Sequence, residues 1–140
     1  MIDLPYIFVD TSAWYALLDK SDANHHAAVN FKDSLDHPMV TSNYIADEVI
    51  TLARNRLGHK VAVEIGRKLW NESIANLIRV TLNDEKKAWA IFVKYSDKTF
   101  SFTDCTSFAL VERVGITEVF AFDDHFSQYG GFIVLPLQKI

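Results

Sequence analysis

The sequence contains a single cysteine, Cys105, in 140 residues. One thiol cannot form an intramolecular disulfide, and it cannot build a thiolate cage around a metal ion. Apolar runs are short, as in residues 133–135, whereas a membrane-spanning helix needs about 20 apolar residues. The first residues, 1–5, lack the basic stretch of a secretory signal. These absences predict a cytoplasmic protein that has no membrane partner.

Positive charge is also scarce. The chain has 14 Lys and Arg residues against 18 Asp and Glu residues, for a net charge of −4. Bulk charge therefore does not attract this protein to nucleic acid, and any contact with RNA or DNA requires a bound metal and local basic patches. Hydrophobic residues make up 49% of the chain, which is enough for one core. The expected organisation is a single domain spanning residues 1–140.

Strand and helix patterns alternate along the chain. The strand patterns cover residues 6–9, 39–42, 77–82, 119–122 and 132–135. The helix patterns cover 11–18, about 25–35, 44–57 and 60–72, then a helix capped by Asn83 or Asp84, and one from about 103–104 to Gly115. This order predicts an α/β fold, a three-layer α/β/α sandwich with a mostly parallel sheet of about five strands.

Two acidic residues follow strands of this predicted sheet. Asp10 comes directly after the first strand, and Asp123 comes directly after the fourth. In open α/β sheets, ligands bind outside the carboxyl ends of the strands. Either residue could instead cap a helix or form a turn, as Asp commonly does. Asp124 repeats the acidic residue after the fourth strand, so the pattern leaves open which of the two faces a site.

Two further carboxylates lie on predicted helices. Glu48 occupies a position in the apolar stripe formed by Ile45, Val49 and Leu52, where a charge is costly unless it is paired or binds something. The alternative is that Glu48 lies at the edge of the stripe and reaches water. Asp104 lies near a helix start, where the helix dipole stabilises an acid whether or not it has a function.

Four carboxylates at one end of a sheet would repel each other and raise each other's pKa values. A divalent cation relieves that repulsion, and an all-oxygen ligand set suits Mg²⁺, with Mn²⁺ as an alternative. Such an ion can hold a phosphate oxygen and lower the pKa of an attacking water. If the four residues converge, the expected chemistry is phosphodiester hydrolysis.

Four segments, in this order, resemble the PIN-domain ribonucleases, and in particular the VapC-type toxins of toxin–antitoxin pairs. They are residues 8–12, 43–58, 101–107 and 120–126, the last followed by Gly130. The resemblance covers essentially the whole chain. It implies a Mg²⁺-dependent endoribonuclease whose products carry 5′-phosphate and 3′-hydroxyl ends.

The resemblance also implies roles for individual residues. Asp10 and Asp104 correspond to the main metal ligands of the family. Glu48 and Asp123 complete the acidic site, directly or through water, and the family pattern favours Asp123 over Asp124. The expected catalytic and metal-binding set is therefore Asp10, Glu48, Asp104 and Asp123.

Ser12 is expected to supply a hydroxyl near the metal, and local bases such as Arg54 and Arg56 are expected to contact the RNA. A toxin of this type implies a small cognate antitoxin that covers the acidic site, and members of the family commonly form homodimers. Either surface needs exposed apolar residues. Candidates that could equally belong to the core are Trp14, Tyr15, Phe31 and Trp70.

Other readings remain. The chain could be a housekeeping PIN-type nuclease that processes RNA, or a non-catalytic receiver-like signalling module with an acidic pocket. A receiver-like module should have a lysine at the end of the last strand, where residues 133–136 offer none. His125 lies near the fourth acidic segment, but its place in a turn favours a surface histidine.

Overall fold

The computed structural model describes residues 5–137 as a parallel sheet with helices between its strands. Within this range there are five strands, β1 (Ile7–Val9), β2 (Met39–Ser42), β3 (Asn76–Ile78), β4 (Glu118–Phe120) and β5 (Ile133–Leu135). The seven helices of the same range are α1 (Thr11–Leu18), α2 (His25–Ser34), α3 (Asn43–Leu57), α4 (His59–Trp70), α5 (Leu82–Lys94), α6 (Phe102–Val114) and α7 (His125–Tyr129). The predicted α/β class with a parallel sheet is confirmed.

The sheet is covered on both faces. Its strand order is β3-β2-β1-β4-β5, and all neighbouring strands are parallel. In the central strand β1, Ile7, Phe8 and Val9 are all fully buried. Because successive side chains of a strand point to opposite faces, this burial requires packing on both sides of the sheet. The predicted arrangement of helices on both sides follows from it.

The strand order reverses at β1. The chain moves from β1 outward to β2 and β3, and then returns to place β4 on the other side of β1. In doubly wound sheets such a reversal opens a crevice at the carboxyl ends of the two strands. The backbone N–H of Asp10 donates to the carbonyl oxygen of Phe120 at 2.9 Å, which joins the two strand ends at this point.

The third strand is shorter than the sequence predicts. It ends at Ile78, and α5 already begins at Leu82. The cap of α5 is Thr81, whose hydroxyl accepts from the backbone N–H of Asp84 while the Asp84 carboxylate accepts from the N–H of Thr81. The prediction of Asn83 or Asp84 as the cap was therefore wrong, because this reciprocal capping box satisfies two N–H groups at once.

The fourth strand also ends early, at Phe120 instead of residue 122. Its partner β1 ends at Val9, so the pairing with β1 stops at Phe120. The backbone N–H of Phe122 then donates to the Ser12 hydroxyl at 3.0 Å. Only the N–H of Ala121 continues the sheet, donating to the carbonyl oxygen of Leu135 in β5 at 3.0 Å, and beyond it the chain passes beside the carboxyl end of β1.

The exposed apolar side chains differ in part from the candidates named from the sequence. Trp14 is only 2% exposed and belongs to the core, whereas Trp70 is 47% exposed. The exposed apolar residues of α5 include Trp89 and Phe92, which stack with ring centroids 5.9 Å apart. No helix among residues 5–137 is long and apolar enough to cross a membrane.

An ion pair between the buried Asp84 carboxylate and the exposed Arg113 side chain joins α5 to α6. Arg113 donates from Nε and Nη2 to the Asp84 carboxylate at 2.8 and 2.9 Å. Burial alone would raise the pKa of Asp84, but hydrogen bonds from Arg113 and from the Thr81 N–H hold it below the usual value of 3.8. Asp84 therefore remains ionised inside the protein and depends on its partner.

We expect Arg113→Met to lower the free energy of unfolding by about 1–3 kcal/mol at neutral pH, because it leaves the buried Asp84 carboxylate without its charged partner. The pKa of Asp84 is lowered in the folded protein, so the contribution of the pair is present above pH 3.8 and is lost as pH falls below it. Urea unfolding at neutral and acidic pH measures both effects.

The matched control is Lys87→Met, which removes an exposed pair of the same two helices, Lys87 with Glu112 at 3.4 Å. Exposed pairs contribute at most about 1 kcal/mol, so this variant should unfold almost like the wild type. Equal destabilisation by the two substitutions would show that the burial of Asp84 does not increase the contribution of its ion pair to the free energy of unfolding.

Candidate active site

Asp10 is fixed at the junction of β1 and α1. It is only 2% exposed and is the N-cap residue of α1. Its Oδ2 atom accepts from the Ser12 hydroxyl at 2.7 Å and from the Ser12 N–H at 3.3 Å. Asp is a favoured N-cap because its carboxylate satisfies a free N–H of the first turn. The same geometry holds a buried carboxylate at the carboxyl end of the central strand.

Ser12 connects the two strand ends. Its hydroxyl donates to Asp10 and accepts from the N–H of Phe122 at 3.0 Å. The single hydroxyl proton is therefore already used for Asp10. In this arrangement Ser12 orients a carboxylate and also holds the segment that carries Asp123.

Asp104 lies in the first turn of α6 and is 7% exposed. Its Oδ2 atom accepts from the N–H of Ser101 at 2.9 Å, while the Ser101 hydroxyl accepts from the N–H of Asp104. The helix begins at Phe102, close to the predicted start near 103–104, and its capping box fixes the acidic side chain. Both Ser101 and the neighbouring His125 contact Oδ2, so the second oxygen stays available.

His125 was expected at the surface of a turn, but it lies within the acidic site. Its Nδ1 atom is 2.8 Å from Oδ2 of Asp104 and 3.9 Å from Oδ1 of Asp123. This buried nitrogen makes no hydrogen bond of good geometry with any residue of 5–137, since the ring is close to Asp104 but poorly aligned with it. Its position depends on how the chain turns after β4, which sequence spacing does not reveal.

The two acidic residues after β4 lie in different surroundings. Asp123 lies beside Asp10, where its negative charge raises the pKa of the Asp10 carboxyl. Asp124 is exposed, and its Oδ2 atom accepts from the Gln128 side chain at 2.8 Å. The structure therefore brings Asp123 to the acidic site, while the catalytic role of Asp123 stays a prediction.

Glu48 reaches the same site from α3. Ile45 and Val49 of its stripe are buried, and Glu48 itself is half-buried between core and site. The Thr11 hydroxyl lies beside it, is buried, and forms no hydrogen bond of good geometry within residues 5–137. Asp47, the next acidic residue on the helix, is exposed. The charge in the apolar stripe is thus explained by its position in the acidic centre.

Burial and mutual repulsion raise the pKa values of three of these carboxyls. For Asp10, Glu48 and Asp104 the main cause is burial. The negative charge of Asp123 adds to the rise at all three positions, and that of Asp104 adds to it at Asp10 and Glu48. The four carboxylates are therefore electrostatic neighbours that lack sufficient positive charge nearby.

The oxygen donors of this acidic centre suit a hard divalent cation such as Mg²⁺ or Mn²⁺, which would relieve the repulsion. The buried Thr11 hydroxyl and His125 nitrogen without good partners also indicate a place for further polar contacts. As the side chains stand, no group of three or more Asp, Glu, His or Cys residues within 5–137 is arranged to hold a metal ion. The carboxylates would have to draw closer together around one.

The two arginines predicted to contact RNA lie on different sides of α3. Arg56 lines an open cleft beside Ser12 and Asp123. Arg54 lines a separate cavity between α3 and α4, where it contacts His59. The structure thus brings Arg56 to the acidic site and does not bring Arg54 to it.

Comparison with known proteins places the chain in a family. The sequence model described as the PIN domain matches residues 7–131. The chain belongs to the PIN-domain family. One protein that the chain resembles is the 23S rRNA-specific endonuclease VapC20 of Mycobacterium tuberculosis, with 37% identity over 93% of this chain and 98% of that protein. Ribonuclease VapC26 of the same species is 26% identical over 93% of this chain and all of that protein.

Solved structures agree with the sequence matches. The crystal structure of VapC20 from Mycobacterium tuberculosis, described as a toxin that cleaves the sarcin–ricin loop, has a TM-score of 0.84 and 36% identity, and the match covers 89% of this chain and 95% of that one. A toxin–antitoxin complex from Klebsiella pneumoniae has a TM-score of 0.66 over 96% of this PIN domain and 99% of that chain. At 16% identity the second match supports the fold alone.

Proposed function

We propose that this PIN domain is a metal-dependent endoribonuclease that acts as the toxin of a toxin–antitoxin pair. The observation that carries the proposal is the meeting of Asp10, Glu48, Asp104 and Asp123 at the carboxyl ends of β1 and β4. The identity with VapC20 over nearly the full length of both chains supports RNA as the substrate. Membership of the PIN-domain family also removes the receiver-like alternative.

The proposed cofactor is Mg²⁺, with Mn²⁺ as an alternative, held by the acidic centre. When bound, the ion would neutralise this centre, hold a phosphate oxygen and lower the pKa of an attacking water. The protein contributes by holding Asp10 through Ser12 and Asp104 through the Ser101 N–H. Both carboxylates begin helices, so their positions depend on rigid elements. Arg56 offers a guanidinium group that can bind a phosphate of the RNA.

The first substrate to test is 23S rRNA, because VapC20 is named for cleaving it. We expect purified protein to cut this RNA in Mg²⁺, to leave 5′-phosphate and 3′-hydroxyl ends, and to lose the activity in excess EDTA. Gel analysis detects the cuts, and ligation of an adaptor that requires a 5′-phosphate identifies the ends.

EDTA saturated beforehand with Mg²⁺ is the control, because it keeps the chelator present but removes its effect. Addition of Mg²⁺ or Mn²⁺ after EDTA should restore cleavage. Cleavage that persists at full rate in excess EDTA would contradict the metal-dependent mechanism.

We also propose a small antitoxin that covers the acidic site, with a basic side chain near its carboxylates. The 36% identical structure of VapC20 is described as that of a toxin, and this description supports a toxin role that requires an inhibiting partner. A short neighbouring reading frame with a DNA-binding N-terminal part would favour the toxin role, and an isolated gene would favour a housekeeping nuclease.

We also propose that the protein forms a homodimer. The exposed apolar side chains of α5, which include Trp89 and Phe92, support this proposal.

A further inference from the structure

An open cleft of about 320 Å³ adjoins the acidic centre. Its walls come from α1, the connection between α1 and α2, α3 and the segment after β4. The cleft shares Ser12 and Asp123 with the acidic centre, so a ligand bound at that centre would extend directly into it. Its volume lies at the small end of the range for small-molecule sites, roughly 300–1,000 Å³.

One wall of the cleft combines an aromatic ring with a cation. The Tyr15 hydroxyl donates to Asp19 at 2.6 Å, which fixes the orientation of the ring. The guanidinium carbon of Arg56 lies 5.1 Å from the centre of this ring. Arg56 forms no ion pair with any other residue of 5–137. A guanidinium stacked on a ring keeps its N–H groups available for a phosphate.

Another part of the cleft presents the exposed side-chain amide of Asn24. Asn24 lies at the N-cap position of α2, but its side chain makes no capping hydrogen bond. Its backbone N–H donates to the Asp22 carboxylate at 2.8 Å, which holds this turn in place. Both residues line the cleft together with the apolar side chains of Leu52 and Phe122. A side-chain amide can donate and accept, which is what recognition of a base edge requires.

We propose that this cleft binds one unpaired nucleobase of RNA next to the cleaved phosphate. Tyr15 and the guanidinium stacked on it form the wall against which the base packs, the N–H groups of Arg56 hold the adjoining phosphate, and Asn24 recognises the edge of the base. The combination fits a nucleotide better than simpler ligands, because an anion alone needs no aromatic wall and an apolar ligand needs no free cation. Proteins commonly bind unpaired RNA bases by such stacking and edge contacts. The inference rests on the proposed ribonuclease function.

Cleavage kinetics test the inference. The substrates are stem-loop RNAs that carry the cleavage site of the wild type, with each base that flanks the cut replaced in turn. We expect Asn24→Ala to reduce the preference for the favoured base about 10-fold, and Asn30→Ala, an exposed asparagine of α2 outside the cleft, to leave it unchanged. We expect Tyr15→Leu to raise KM about 10-fold with a smaller change in kcat.

Tyr15→Phe keeps the ring and loses only the bond to Asp19, so it should recover most of the affinity that Tyr15→Leu loses. Asn24 is exposed, so Asn24→Ala remains a valid test if Tyr15→Leu does not fold. An active protein in which neither substitution changes KM or base preference would overturn the inference and leave the ribonuclease function standing.

A binding measurement can support the subsite even if the nuclease function fails. Fluorescence anisotropy with a labelled single-stranded RNA in EDTA reports affinity without cleavage. If the wild type cuts no RNA but Tyr15→Leu and Asn24→Ala each weaken binding several-fold relative to Asn30→Ala, the subsite stands and the nuclease function fails. Equal affinity of all variants would overturn the subsite.

Discussion

Asp10→Asn is expected to lower RNA cleavage by more than about 100-fold while it stabilises the metal-free protein at neutral pH. Groups that only support a metal ligand are already worth about 10–100-fold, so loss of a principal ligand should exceed that range. Asn keeps the shape of Asp and is an equally good N-cap, so the bond from Ser12 and the start of α1 can be retained. Loss of activity would therefore not reflect loss of the fold.

The gain in stability follows from the sign of the pKa shift. Burial, together with the charges of Asp123 and Asp104, raises the pKa of Asp10 well above 3.8 in the folded protein. The folded state then binds more protons at this group than the unfolded state, so its stability falls as pH rises above 3.8. Asn cannot ionise, and the advantage of the variant should grow over the same pH range.

Thermal unfolding in EDTA at several pH values measures this difference, and RNA cleavage in Mg²⁺ measures the activity. Asp33→Asn changes an exposed carboxylate of α2 and should alter neither property. Addition of Mg²⁺ should raise the Tm of the wild type more than that of Asp10→Asn. A variant that folds, cleaves RNA normally and responds to Mg²⁺ like the wild type would remove Asp10 from the metal site.

The parts of the fold that could be predicted are those with strong local signals. The bounds 11–18 for α1 and 39–42 for β2 were predicted correctly. The helix α1 follows its N-cap residue Asp10, and β2 follows Pro38 and ends at Ser42, the N-cap residue of α3. The strands predicted at 77–82 and 119–122 were too long, since their apolar patterns continue past the end of the pairing. There, capping by Thr81 and the contact of Phe122 with Ser12 replaced strand pairing.

The site could be predicted in part for similar reasons. Placement after parallel strands was enough to bring Asp10 and Asp123 to one edge of the sheet. The separation of Arg54 from Arg56 was also present in the sequence, because two positions along a helix turn a side chain by about 200°. The position of His125 could not be predicted from the sequence, because it depends on the direction of the turn after β4 and on the start of α6.

Asp123→Asn is expected to lower RNA cleavage by about 10–100-fold, whereas Asp124→Asn should change it less than about 2-fold. Asp123 lies within the acidic centre, where its charge raises the pKa values of Asp10 and Glu48. Asp124 is exposed and accepts from Gln128, away from those carboxyls. Asn at position 123 retains an oxygen that can accept from the N–H of His125, as Oδ1 does now at 3.2 Å.

The adjacent pair makes a sharp comparison, because both substitutions remove one negative charge from the same turn. General effects of charge on RNA affinity should therefore be nearly equal in the two variants, and only the position of the carboxylate differs. Initial cleavage rates at saturating and subsaturating RNA, with Mg²⁺ varied, separate metal affinity from substrate affinity. We expect Asp123→Asn to require more Mg²⁺ for half-maximal rate, with Asp124→Asn matching the wild type. The opposite result would mean that the segment after β4 turns over when the metal binds, so that Asp124 replaces Asp123 in the acidic centre.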